Sequence, residues 1–306
     1  EGGKITYTVT LVSADPKLSV TDHKGLTFTL TDGTVVTVKA GESTGSKTVT
    51  APDNVYVNDP VTITQELVKV EGKGTEQFEK LELDTTKVQT TVSDEPGTPG
   101  NPGGSNEGDL IKVTITADQT SVDEATQPSF TVTLNKALDK PLTVTLDNGT
   151  VLQFAAGEVT KSFEAKAQGD DVFKDAGKIT VGIEKAEVAG EQFENLQIST
   201  PASVVVTDTD SLVTAQLSVD NTAVSEGGKI TYTVTLVSAD PKLSVTDHKG
   251  LTFTLTDGTV VTVKAGESTG SKTVTAPDNV YVNDPVTITQ ELVKVEGKGT
   301  EQFEKL

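Results

Sequence analysis

Apolar and polar residues alternate along most of this chain. The runs Lys4 to Leu11, Leu26 to Leu30, Thr34 to Val38 and Val61 to Thr64 set Val, Ile, Leu, Phe or Tyr against Thr at every second position. A period of two predicts strands with one buried face. Threonine on the wet face is β-branched, so it suits a strand without enlarging the apolar surface. Turn signals fall between the runs at Thr31-Asp32-Gly33 and Ala40-Gly41-Glu42. In the middle of the chain the same pattern predicts seven strands, at 110–116, 128–134, 141–146, 150–154, 160–167, 178–185 and 200–207. No stretch reads as a long amphipathic helix. The expected fold class is all-β: tandem immunoglobulin-like antiparallel β-sandwich modules in an elongated array.

The pattern repeats. Glu1 to Leu81 recurs unchanged as Glu226 to Leu306, which marks an array of copied modules. The middle is a diverged relative: Thr150 to Glu158 aligns with Thr34 to Glu42, and Gly190-Glu-Gln-Phe-Glu-Asn-Leu196 with Thr75-Glu-Gln-Phe-Glu-Lys-Leu81. The chain therefore reads X, Y, X: module X at 1–94, a Pro/Gly-rich linker at 95–108, module Y at 109–210 and X again at 211–306. By alignment the first X lacks its opening strand and the second its closing strand, as expected of a window cut from a longer array. The linker is expected to be an extended, partly flexible spacer, and the short Y-to-X step a stiff joint.

Composition narrows the chemistry. With no Cys, Met or Trp, neither disulfides nor thiolate metal sites are available. Asp and Glu outnumber basic residues 45 to 25, a net charge of −20 that argues against nucleic acid and anionic membranes and favours cations. No apolar run has the length of a membrane helix. The two histidines, His23 and His248, are one position seen twice and are read as solvent-facing loop residues, so no enzyme is expected. The 9 Phe and 4 Tyr mostly alternate into strands. That weakens the alternative of a ligand-binding adhesin domain gripping carbohydrate or another cell surface.

Loop parity places acidic residues together. If successive strands of Y run antiparallel, its first, third and fifth loops and its exit share one pole. Those places carry Glu124, Asp147, Asp170, Asp171, Asp175, Asp208 and Asp210. Carboxylates so crowded repel unless a hard cation gathers them, and Ca²⁺ takes six to eight oxygen ligands from flexible loops. The X modules repeat the layout with fewer charges, through Glu1, Asp32, Asp53, Asn54 and Asp59, then Asp94 and Glu95 at the exit, in the first copy and Glu226, Asp257, Asp278, Asn279 and Asp284 in the second. Glu158 and Glu194 are read as solvated surface charge.

Glu124 in its Val-Asp-Glu run, Ala-Gly-Glu158, the acidic 170–175 loop and the closing Val-Val-Val-Thr-Asp-Thr-Asp210 together resemble the Calx-β calcium-binding sandwich. The Gly-x-Asp-Tyr insertion usual in that family is missing after Asp147-Asn-Gly-Thr150, and with it one family ligand. Tandem, Thr-rich, Cys-free acidic modules also resemble the extender region of Lap-type repeats-in-toxin biofilm adhesins of Gram-negative bacteria. That resemblance implies type I secretion, an extracellular place on the cell surface, calcium-dependent folding, and partners limited to calcium, neighbouring modules and the surfaces or cells met by other parts of the protein.

Overall fold

A computed structural model describes residues 1–58, 60–104, 108–282 and 286–306. Among them there is no α-helix; the chain is a succession of small sheets grouped into three modules. The first X module holds β1 (Lys4–Thr10), β2 (Leu26–Leu30), β3 (Val35–Val38), β4 (Thr44–Thr50), β5 (Val61–Gln65), β6 (Leu67–Glu71) and β7 (Val88–Val92). A short 3-10 turn at Thr75–Gln77 lies between β6 and β7. The strands pair as β1-β4, β3-β2-β6 and β5-β7. Alternation does the sorting: in β2, Leu26, Phe28 and Leu30 are buried while Thr27 and Thr29 are not.

Module Y runs from β8 (Leu110–Ala117) and β9 (Ser121–Asp123) through β10 (Ser129–Leu134), β11 (Leu142–Leu146), β12 (Val151–Phe154) and β13 (Thr160–Glu164). It closes with β14 (Lys178–Val181), β15 (Ile183–Glu187), β16 (Asn195–Ile198) and β17 (Ala202–Thr207). Ten strands thus stand where seven were expected. Gly182 breaks the run expected at 178–185 into β14 and β15, which join different sheets. The short β9 and β16 add two edges, and both pair in parallel: β16 with β8, and β9 with β17. Phe130, Val132 and Leu134 of β10 and Ile111, Val113 and Ile115 of β8 pack with Leu142, Val144 and Leu146 of β11 in one core.

The second X module has β18 (Val213–Val219), β19 (Lys229–Ser238), β20 (Leu251–Leu255), β21 (Val260–Val263), β22 (Thr269–Thr275) and β23 (Leu292–Glu296). β18 supplies the opening strand that the first copy lacks and pairs with β19. His23 and His248 are buried, contrary to the loop reading. Each ring ties a loop to a hairpin: Gly25 N–H donates to His23 Nδ1 at 3.0 Å, which leaves Nε2 to donate to the Glu42 carbonyl at 2.8 Å.

A candidate metal centre at each module junction

The two junctions are built alike. After β4 the first X module presents a loop, Asn54-Val55-Tyr56-Val57, and after β13 module Y presents Asp171-Val172-Phe173-Lys174. In each, the first side chain folds back on the backbone: Tyr56 N–H donates to Asn54 Oδ1 at 2.8 Å, and Phe173 N–H to Asp171 Oδ1 at 2.6 Å. So shaped, the loop acts as a plug. Its socket is the Gln-Phe-Glu segment of the next module, Gln192-Phe193-Glu194 in Y and Gln302-Phe303-Glu304 in the second X. Val57 N–H donates to the Gln192 carbonyl and Lys174 N–H to the Gln302 carbonyl, both at 2.7 Å; Glu194 and Glu304 N–H return bonds to the Val55 and Val172 carbonyls. Rings meet across each bridge, Tyr56 on Phe193 at 5.6 Å and Phe173 on Phe303 at 4.9 Å. Val55 and Tyr56 belong to the core of Y, and Val172 to the core of the second X.

The described part of the linker, residues 95–104, belongs to this joint, which corrects the expectation of an extended spacer there. Thr98 and Asn101 form an isolated bridge, Thr98 is buried, and Asn101 Nδ2 donates to the Asp94 carbonyl at 2.7 Å. A methyl group on Gly100 would sit 1.9 Å from Asp94 Oδ2, so only glycine permits that approach. The X-to-Y junction is therefore docked in the same manner as the Y-to-X junction.

Beside each plug lies a group of carboxylates. In Y, the parallel pairing of β17 with β9 runs the chain exit alongside the first loop and ends both together. Glu124 N–H then bonds the Thr207 carbonyl at 3.0 Å, and Gly169 N–H bonds the Glu124 carbonyl at 3.0 Å, which draws in the 170–175 loop. Carboxylate oxygens of Glu124, Asp175 and Asp208 lie within 4.8 Å of one another. Asp175 N–H donates to Asp208 Oδ1 at 2.9 Å. Asp170 Oδ1 accepts from Thr209 Oγ1 at 2.9 Å, and the same hydroxyl reaches Glu304 Oε2 at 3.1 Å. Glu304, from the downstream module, thus joins the group.

Glu124 is fully buried, and its Oε2 has no hydrogen-bond partner. Burial, then the facing Glu304 carboxyl, pushes its pKa up to about 7. Asp171 is also raised, first by burial.

Asp147 is not in this group. Its Oδ2 accepts from Gly182 N–H at 2.9 Å, and Gly182 abuts Pro201 at the opposite end of β17 from Asp208. The parity argument fails there because the strand continuing from β14 changes sheets at Gly182, so the third turn meets it part-way along. Asp210 is exposed and outside the triad.

At the X-to-Y junction, Glu1, Asp94 and Glu194 form one close set and Glu1, Asp53 and Glu95 another. Glu1 accepts from Asn54 N–H at 3.2 Å and Nδ2 at 3.0 Å, and buried Asp94 accepts from Asn58 N–H at 3.0 Å. Glu194 is buried, which overturns its reading as surface charge. Its Oε2 accepts from Asp109 N–H at 2.9 Å, while its Oε1 and Glu95 Oε2 have no partner. Burial, opposed by that backbone bond and reinforced by the Glu95 charge, raises Glu194 to about 7. Lys136, whose charge is felt by Asp53 and Glu194, is already engaged by Asp109.

Glu158, by contrast, sits at the surface paired to Lys161. In the second X copy Asn279 Nδ2 donates to Glu226 Oε1 at 3.0 Å and Asp278 lies beside Gly227, but among the described residues no third carboxylate completes a set. Asp59 and Asp284 lie outside the described residues.

Sequence reasoning placed Glu95 with Asp94 at the exit of the first X module and missed Glu194 and Glu304. The signal for the last two was present: Glu-Gln-Phe-Glu recurs in all three modules, ending at Glu79, Glu194 and Glu304.

A family model described as the LapA domain matches residues 1–95, 109–209 and 213–306, one match for each module. The chain belongs to the LapA domain family. LapA domains are structural repeats of bacterial adhesins, and the family implies a cell-surface location. No curated protein sequence matches the chain. Among solved structures, the adhesin InvE of Yersinia pseudotuberculosis is similar at a TM-score of 0.25 and 18% identity, over 54% of this chain and 51% of that one. A Salmonella alpha-2-macroglobulin mutant gives 0.24 and 12%, over 90% of this chain and 21% of that one. The chain thus spans about half of the former and a fifth of the latter, and at such scores neither likeness carries an argument.

Proposed function

We propose that this chain is a calcium-stabilised extender segment of a secreted, cell-surface adhesin, in which the cation locks each module to the next. The observation that carries this reading is the pair of buried carboxylates, Glu124 and Glu194, each leaving one oxygen without a partner among other carboxylates at a module junction. Burying an unpaired anion is costly, and a bound dication removes that cost. Two ligands of one Ca²⁺ at roughly 2.3–2.6 Å lie at most about 5 Å apart, which suits oxygens within 4.8 Å of one another. In Y the ligands would be Glu124, Asp175 and Asp208, with Asp170 and Glu304 adjacent. At the other junction they would be Glu1, Asp94 and Glu194, with Asp53 and Glu95 adjacent. Carboxylate and carbonyl oxygens without nitrogen or sulfur favour calcium over transition metals.

Calcium would supply charge neutralisation only. The protein's part is to bring the chain exit, the plug loop and the downstream Gln-Phe-Glu segment to one place, so that gathering the carboxylates also holds the plug in its socket. In a low-calcium compartment the same repulsion loosens the joints, which suits export through a narrow channel. Isothermal titration of the chelated chain with calcium, alongside melting with and without the ion, tests the reading. Heat of binding with a raised midpoint supports it; no heat and an unchanged midpoint would remove calcium from the account. The carbohydrate-binding alternative gains nothing from the structure: among the described residues Tyr281 is the only exposed aromatic, and its counterpart Tyr56 serves a joint.

A further inference from the structure

We infer that the two joints are keyed by module type: the Y socket fits the tyrosine of an X plug and the X socket the phenylalanine of a Y plug, so each module docks on the other type and discriminates against its own. The backbone of the joint carries no such key, since the same two bonds cross both junctions. The key lies in the side chains around the plug ring. In the Y socket the turn before β11 supplies it. The Tyr56 hydroxyl donates to Asp139 Oδ1 at 3.1 Å, and Lys140 Nζ stands 4.7 Å from the centre of the Tyr56 ring while pairing with Glu191, the residue before Gln192. Burial, then the Asp139 carboxylate, pushes the Tyr56 phenol up to about 12, so the hydroxyl keeps the proton it donates. None of these side chains belongs to the carboxylate sets assigned to calcium, so the key does not rest on that reading.

The X socket is built differently at the same place. Asp139 lies three residues before β11, and His248 lies three residues before β20, the matching strand. Both ring nitrogens of His248 are engaged: Gly250 N–H donates to Nδ1 at 3.0 Å, and Nε2 donates to the Glu267 carbonyl at 2.8 Å. The buried imidazole therefore offers no acceptor and serves as a ring alone, 5.7 Å from Phe303, which in turn meets Phe173 at 4.9 Å. A phenylalanine completes this row of rings with no polar atom to satisfy. A tyrosine at 173, held by the same backbone bonds, would carry its hydroxyl toward the imidazole without the acceptor that Asp139 supplies. An unmet polar group of this kind is how an interface rejects a near-identical partner. The difference belongs to the module type. The first X copy fixes His23 by the equivalent two bonds and sets it 5.9 Å from Phe78, and tyrosine occupies the plug position of both X copies, at 56 and 281. X placed directly on X would seat a tyrosine plug against a histidine socket; the order X, Y, X avoids that pairing.

Amide exchange in the whole chain tests the key at both joints, because Val57 and Glu194 N–H cross one and Lys174 and Glu304 N–H the other. Tyr56→Phe and Asp139→Ala should each speed exchange at Val57 and Glu194 by about tenfold, the effect of losing a hydrogen bond to a charged group, and the double variant should exchange no faster than either single one. Lys174 and Glu304 should not respond. Phe173→Tyr should speed exchange at Lys174 and Glu304 by about tenfold and leave Val57 and Glu194 as they were. Phe173 is only half-buried, so the added oxygen does not threaten the fold. Exchange at Val57 and Glu194 that ignores Tyr56→Phe, additive effects of Tyr56→Phe and Asp139→Ala, or exchange at Lys174 and Glu304 that Phe173→Tyr leaves unchanged or slows, would overturn the inference.

Discussion

Tyr56 and Tyr281 are the same residue in the same local sequence, one docked and one free, so replacing each with alanine isolates the contribution of docking. About three quarters of the tyrosine surface is withdrawn from water only in the docked copy, judging from 2% against 74% exposure. A buried aromatic covers roughly 150–250 Å², so docking removes on the order of 150 Å² at this residue. At about 25 cal/mol per Å² that is roughly 4 kcal/mol, an upper bound because the unfolded chain is partly collapsed. The ring contact with Phe193 and the bond to Asp139 add to it, and the methyl kept by alanine subtracts. Tyr56→Ala should therefore destabilise the X-to-Y joint and the Y core by roughly 2–4 kcal/mol, and Tyr281→Ala by less than about 0.5 kcal/mol. Several modules melt here, so a single unfolding free energy is not defined. The assay is amide exchange at Glu194, whose N–H bonds the Val55 carbonyl across the joint, together with the calorimetric transition of Y. Exchange at Glu194 should accelerate by about 30-fold or more with Tyr56→Ala, the equivalent of about 2 kcal/mol, and remain unchanged with Tyr281→Ala. Equal effects from the two substitutions would refute the docking argument.

Glu124→Gln removes the charge of the central buried carboxylate; on the proposed reading it should weaken calcium binding at the Y junction by at least about tenfold in titration calorimetry while raising the melting midpoint of the chelated protein. Without calcium, the raised pKa values of Glu124 and Glu194, each about 7, mean that the native state holds extra protons between the ordinary carboxylate range and pH 7. Stability from these groups is then complete below about pH 4.5 and lost as pH rises through 7, by up to roughly 3 kcal/mol per site. Chelated melts should accordingly fall from pH 5 to pH 8, and calcium should raise the midpoint more at pH 8 than at pH 5; a chelated midpoint that climbs over this range would contradict the assignment. Gly45→Ala and Gly270→Ala each place a methyl within 2.1 Å or less of a backbone carbonyl, that of Thr37 or Thr262, and should lower the X-module transitions by several degrees in calorimetry.

Much of this architecture was legible in the chain. Period-two alternation located β1 to β3, β8 and β10 to β13 because each buries one face, and that pattern survives whatever the neighbours are. Repeat alignment located the three modules. The acidic pole was legible only in part. Glu124, Asp170, Asp171, Asp175 and Asp208 were placed together by parity, yet what unites them is the parallel pairing of β9 with β17, which no local pattern encodes. Asp147 went astray because the sheet change at Gly182 is decided by packing, and Glu194 and Glu304 were missed because their burial comes from a neighbouring module.

The repeated sequence separates the two kinds of information within one molecule. Wherever partners lie inside the copied segment, identical residues give identical structure, as in β2, β3 and β6 against β20, β21 and β23. Where the partner lies outside it, they do not. Val61–Gln65 is a strand because β7 pairs with it, whereas the same five residues at 286–290 belong to no strand, and all of them but Gln290 are exposed, because among the described residues no strand pairs with them. Tyr56 is core and Tyr281 is surface for the same reason. The sequence by itself determined which segments can form strands and which loops carry charge, because both follow from local spacing. Only the tertiary structure decided which edges are paired, which aromatics are buried and which carboxylates share a site, since each depends on a neighbour supplied by a distant part of the chain.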